Sequence, residues 1–141
     1  MRVLDASMTL AWLISRQDAA EAAVAVRARI ELDAESFFVP QIWYTEIASG
    51  ILRIERAGRI PQLASEAFLA ELASAEIIAD VERPALRQNV VLALARAHKL
   101  TAYDATYLEL AIRTGATLYT FDQQLAAAAR AAGVKIFGDP A

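Results

Sequence analysis

Apolar and polar residues alternate along the chain in two rhythms, short apolar runs and longer stretches at helical spacing. Arg2-Val3-Leu4-Asp5 is a short apolar run closed by an acid, which predicts a buried strand, and the apolar-rich stretch Met8 to Ile14 after Ser7 predicts a helix. Asp18 to Leu32 is Ala-rich with charges at helical spacing and predicts a second helix. Phe37-Phe38-Val39 before Pro40 predicts a strand, and Ile42 to Ala57 a helix with Ile47, Ile51 and Ile54 on one face and Gly58 as its stop. Pro61 and Pro84 each suit the first position of a helix, giving Pro61 to Ser74 and Pro84 to His98 with the strand Glu76 to Asp80 between them. Tyr103 to Thr114 predicts a helix ended by Gly115, Ala116 to Thr120 a strand leading to Asp122, and Gln123 to Ala132 a last helix stopped by Gly133. Strands alternating with helices, without hairpin-turn signals, predict an α/β domain: a mainly parallel central sheet flanked by helices in an α/β/α sandwich.

Length and composition narrow this picture. The chain has 141 residues and 57% hydrophobic content, so a single domain over residues 1–141 with one continuous core is expected, and disorder is excluded. Apolar stretches are broken by charges well short of the ~18 to 20 residues of a membrane helix, and the first residues meet Asp5 before a signal-like apolar segment develops. With no cysteine, disulfides and thiolate metal sites are excluded, which fits a cytoplasmic protein. The single His98 excludes a two-histidine metal motif. A net charge of −3 speaks weakly against bulk electrostatic capture of nucleic acid. Yet Lys99 and Lys135 are the only lysines, so twelve of the fourteen basic residues are Arg, the side chain suited to bidentate phosphate contacts.

Candidate chemistry lies in the acids at element ends. Ligands of open α/β sheets bind beyond the carboxyl ends of the strands. Asp5 and Asp122 both fall there, and they point into one crevice if their strands are neighbours. Helix capping is the simpler role for each. Glu46 and Asp104 sit among apolar and aromatic residues near helix N-termini, where an unpaired carboxylate is costly. For Glu46 the simpler reading is an ion pair with an Arg or a place on a polar face. For Asp104 it is a first-turn position favoured by the helix dipole. Taken together, four carboxylates without Cys or a second His are hard oxygen ligands suited to Mg²⁺ or Mn²⁺. Divalent ions would neutralise such a cluster, position a water and stabilise an in-line displacement at phosphorus, which is nuclease chemistry.

Four motifs in order extend over nearly the whole chain: Val3-Leu4-Asp5-Ala6-Ser7, Pro40 with Glu46-Ile47-Ala48, Leu100 to Ala111 around Tyr103-Asp104-Ala105-Thr106-Tyr107, and Thr117-Leu118-Tyr119-Thr120-Phe121-Asp122. On these residues the chain resembles the PIN-domain ribonucleases, and in length and layout the VapC toxins of toxin–antitoxin pairs. The resemblance implies a PIN-like fold and a metal-dependent endoribonuclease that hydrolyses RNA phosphodiester bonds. It implies that Asp5, Glu46, Asp104 and Asp122 bind Mg²⁺ or Mn²⁺, with Ser7 and Thr120 orienting carboxylates or a water. It further implies a homodimer inhibited by a VapB-like antitoxin. Ser49 stands where such proteins often have Asn, and Gln123, Gln124 and Leu125 where many have a further Asp or Asn, so a one-metal resting site is expected.

The remaining residues have plainer roles. His98 suits a helix C-terminus. Trp12, Trp43, Tyr44, Tyr103 and Tyr107 suit core or interface better than base stacking, and Glu109 suits solvent or an ion pair. Arg53, Arg56 and Arg59 recur every three residues, as a basic stripe toward RNA or as partners of Glu55. Surplus apolar residues in Ile42 to Ile54 and Leu63 to Leu72 suit a dimer or antitoxin surface. Two other functions compete. Haloacid-dehalogenase-like phosphotransfer would share Asp5 at a strand end, but Ser7 stands where its second acid belongs. A catalytically silent PIN-like binding module would be expected to lack one of the four acids, and all are present.

Overall fold

The computed structural model describes residues 1–140. In chain order its elements are β1 (Arg2–Leu4), α1 (Ala6–Leu10), α2 (Ala19–Ala34), β2 (Phe37–Val39), α3 (Ile42–Arg56), α4 (Gln62–Ser74), β3 (Ile77–Ala79), α5 (Pro84–His98), α6 (Ala102–Thr114), β4 (Thr117–Tyr119) and α7 (Gln123–Ala131). The four strands form one sheet in the order β3-β2-β1-β4, and every pairing is parallel. The expected α/β architecture is therefore present, with a sheet that is wholly rather than mainly parallel.

That order fixes where helices lie. From β1 the chain steps outward to β2 and β3, then returns past β1 to β4. Parallel crossovers are almost always right-handed, so the outward and the returning connections cover opposite faces of the sheet. The reversal happens between β1 and β4, whose registers run Arg2 to Thr117, Val3 to Leu118 and Leu4 to Tyr119. Val3, Leu4, Phe37, Val39 and Leu118 are fully buried in the core, and beyond the outer edge of β4 a single bridge joins Leu118 to Ile136.

Local chemistry explains several boundaries. Asp18 caps α2 by accepting the Glu21 amide, and Thr101 caps α6 by accepting the Asp104 amide at 3.1 Å. Pro84 opens α5, and Gly115 ends α6 in the left-handed conformation at φ 66°. Two expectations need correction. The first helix is not Met8 to Ile14 but Ala6–Leu10, because Asp5 is extended at φ −84°, ψ 151° and the helix starts directly after it. Pro61 is the extended residue before α4 rather than its first helical residue.

Candidate active site

Asp5 leaves the carboxyl end of β1 and Asp122 follows β4, so the switch between these neighbouring strands brings both to one place. Glu46 arrives from the second turn of α3 and Asp104 from the first turn of α6. All four line one cavity of about 500 Å³, together with Ser7, Ser49 and Arg53 among others. The acids thus meet from four separate segments of the chain.

Asp5 is buried, and its carboxylate is held by two hydroxyls. Ser7 Oγ donates to Asp5 Oδ2 at 2.7 Å and Thr120 Oγ1 donates to the same oxygen at 2.6 Å. The Phe121 amide donates to Ser7 Oγ at 2.9 Å and the Asp122 amide to Thr120 Oγ1 at 3.0 Å. Each hydroxyl thereby spends a lone pair on a backbone amide and directs its proton to Asp5. Although Asp5 occupies the cap position of α1, its side chain makes no capping bond. Asp122 does cap: its Oδ1 accepts the Leu125 amide at 2.8 Å. For Asp122 the capping role and a place in the cavity coexist.

Glu46 has no ion pair among the described residues; instead Tyr107 Oη donates to its Oε1 at 2.7 Å. Tyr107, which the sequence assigned to core or interface, is fully buried and also serves this carboxylate. Its signal was the spacing Asp104 to Tyr107, three residues apart on one helical face. Trp12 and Trp43 are packed as expected, their indole N–H groups donating to Ala25 O and Thr9 Oγ1. Tyr44 and Tyr103 are exposed, and Tyr103 lies at the cavity. Glu109 is ion-paired with Arg113 at 2.9 Å, but it is buried rather than solvated, at 4% exposure.

Crowding of anions shows in their protonation. Burial pushes Asp5 up from 3.8 to about 6, opposed by the Thr120 and Ser7 hydroxyls and reinforced by the charge of Glu46. Burial pushes Asp104 up to about 6 as well, helped by repulsion from Asp122 and Asp5. Glu46 is raised by burial and by Asp104, against the Tyr107 hydrogen bond. Asp5, Glu46 and Asp104 are each raised in part by the charge of another acid of the cavity, as in a site that gains from a cation. As the side chains stand, no three acid or histidine groups among the described residues close around a single point. They line the walls of the cavity. An all-oxygen donor set of this charge fits Mg²⁺ or Mn²⁺. Neither Lys99 nor Lys135 lines the cavity, so the lysine that haloacid-dehalogenase-like phosphotransfer requires is missing.

The PIN domain sequence profile matches residues 2–131. Among solved structures the fold is similar to PAE2754 from Pyrobaculum aerophilum, with a TM-score of 0.69 at 21% identity over 90% of this chain and 83% of that one. It is also similar to FitAcB from Neisseria gonorrhoeae, with a TM-score of 0.61 at 19% identity over 97% of this chain and 96% of that one. No curated protein matches the chain in sequence.

Proposed function

The chain belongs to the PIN domain family, and from that premise we propose that it is a divalent-metal-dependent endoribonuclease, the toxin of a VapBC-type toxin–antitoxin pair. The observation that carries this reading is the convergence of Asp5, Glu46, Asp104 and Asp122 on one cavity at the sheet's switch point. Their roles follow from their surroundings. All four carboxylates would hold Mg²⁺ or Mn²⁺. A bound divalent ion supplies positive charge that offsets the carboxylates and the phosphate and stabilises charge developing in an in-line displacement. Ser7 and Thr120 keep Asp5 ionised and fixed in direction, as hydrogen-bonded partners of metal ligands do. Tyr107 does the same for Glu46, and burial holds its phenol protonated, so it remains a donor. The substrate is RNA, and the reaction adds water across a phosphodiester bond.

Exposed apolar side chains support an antitoxin and a second copy as partners. Tyr44 and Leu52 on α3 and Leu63 and Leu69 on α4 lie bare, Leu63 at 74% exposure. Among the described residues no helix is long and apolar enough to cross a membrane; the cytoplasm is the proposed place of work. The test is cleavage of a mixed small-RNA pool by antitoxin-free protein with Mg²⁺ or Mn²⁺, beside EDTA and Asp5→Asn. Cleavage that needs the metal and disappears in folded Asp5→Asn is expected. Metal-independent cleavage, or activity retained in Asp5→Asn, would remove the carboxylate cluster from the mechanism.

A further inference from the structure

A second groove of about 660 Å³ adjoins the acid cavity, and Ser7, Leu10 and Arg53 belong to the walls of both. Its charged lining is Arg16 from the α1–α2 connection, Arg53 from α3 and Arg59 from beyond the end of α3, against Asp18 and Glu21. Both acids are already engaged. Asp18 accepts the Glu21 amide at 2.9 Å, and Glu21 takes Arg16 at 3.3 Å, while the Arg16 guanidinium lies 4.8 Å from the Phe121 ring centre. Arg53 and Arg59 have no carboxylate partner among the described residues.

Spacing alone would align Arg53, Arg56 and Arg59 as one stripe. The structure divides them: Arg53 and Arg59 line the groove, and Arg56 lines neither it nor the acid cavity. Gly58 sets where Arg59 goes. At φ 71° it turns the chain back, so that the Arg59 amide donates to Ile54 O at 3.2 Å. The dipole of α3 accounts for basic residues in its last turn, but not for Arg59 beyond the helix or for Arg16 from another segment. Guanidinium groups without carboxylate partners in an open groove are suited to phosphate, which they bind through paired N–H donors.

We propose that this groove holds the sugar–phosphate backbone of single-stranded RNA next to the acid cavity, with Arg53 at the junction and Arg59 farther out each engaging a phosphate. The inference rests on the reading of the acid cavity as the RNA-cleaving centre, and it gives that centre a direction: substrate extends toward the α1–α2 connection. A flexible strand can follow a charged groove without base readout, and its binding carries a salt dependence of about 0.7 in the log–log slope per phosphate engaged.

The experiment measures binding of a fluorescein-labelled single-stranded RNA by anisotropy, in EDTA and over a salt series, to the intact chain and to Arg53→Gln/Arg59→Gln. Arg96→Gln serves as charge control, since exposed Arg96 on α5 lines neither cavity. The expected result is a slope about 1.4 shallower and several-fold weaker binding for the double variant, with Arg96→Gln close to the parent. With Mg²⁺ or Mn²⁺ added, the double variant should lose kcat/KM for RNA cleavage, and Arg59→Gln alone, outside the acid cavity, should do so through a raised KM. An unchanged slope in the double variant, an equal change in Arg96→Gln, or no RNA binding by the parent overturns the groove. Cleavage by the parent that the double variant matches at every salt concentration sinks the groove and leaves the nuclease standing. Arginine-dependent binding without any metal-dependent cleavage has the opposite meaning.

Discussion

Tyr107 shows how much of the site depends on single groups. Its ring fills the core while its hydroxyl fixes a carboxylate of the cavity. Tyr107→Phe keeps the ring and removes one donor to a half-buried charge, so stability should fall by about 1.5 kcal/mol, the low end for a bond to a charged group. Partners that orient metal ligands matter more to the ion than to the fold, and their loss typically weakens metal binding about 10-fold or more. The metal concentration for half-maximal RNA cleavage should rise by that factor, with cleavage restored at high metal; an unmoved requirement would show that Glu46 needs no orienting. At this scale the sequence was informative about identity and silent about direction. Asp5, Glu46, Asp104 and Asp122 could be picked out as acids at element ends or in apolar surroundings, and they share a cavity. That the Ser7 and Thr120 hydroxyls both choose Asp5 Oδ2 depends on the amides of Phe121 and Asp122, more than a hundred residues away from Asp5. No local pattern encodes that.

Elements were legible where a local stop signal exists. Pro84 and His98 bound α5 as read, Phe37–Val39 is β2, and Gly115 ends α6. The first helix was misplaced because Ser7 resembles a cap, whereas its hydroxyl faces Asp5 and the chain turns helical at Ala6. Packing between elements is also hidden from the sequence. Gly50 of α3 is where α1 comes close, since a side chain there would collide with Leu10. Arg113 near the end of α6 joins Glu109 at 2.9 Å to Asp80 after β3 at 2.6 Å, and Arg87 of α5 stands 3.8 Å from Glu109. Glu109 is buried, and removing one partner of such a charge typically costs about 3 to 5 kcal/mol. Arg113→Ala should therefore lower unfolding stability by about 3 kcal/mol in urea titration, with Arg87 limiting the loss. A fall below about 1 kcal/mol would mean that solvent or Arg87 replaces the lost partner. Because this cluster lies outside the acid cavity, RNA cleavage by the folded fraction should persist.

For the whole molecule, alternation of strands and helices predicted a parallel sheet but could not order it, because strands of three residues pair through contacts distant in sequence. The order β3-β2-β1-β4 is what turns four scattered acids into one cavity, with the reversal between β1 and β4 at its base. Gathering anions this way opposes folding, and the sign can be measured. Asp5 and Asp104 both rise from 3.8 to about 6 in the folded chain. Between about pH 4 and 6 the folded chain then binds more protons at these sites than the unfolded chain, so their contribution to stability falls as pH rises through that window and levels off above it. Asp5→Asn removes the buried charge while keeping an acceptor for Ser7 and Thr120. Without metal, its stability relative to the parent should improve across that window, by about 2 to 3 kcal/mol at neutral pH. Adding Mg²⁺ or Mn²⁺ should reverse the comparison, because a cation that binds only the folded chain stabilises it in proportion to its occupancy. The parent's Tm should rise with metal at pH 7, rise less at pH 5 where protons compete, and Asp5→Asn should respond weakly at both. A metal-induced rise equal in the two proteins and independent of pH would place the ion away from Asp5, and the carboxylate cavity would lose its claim to the metal.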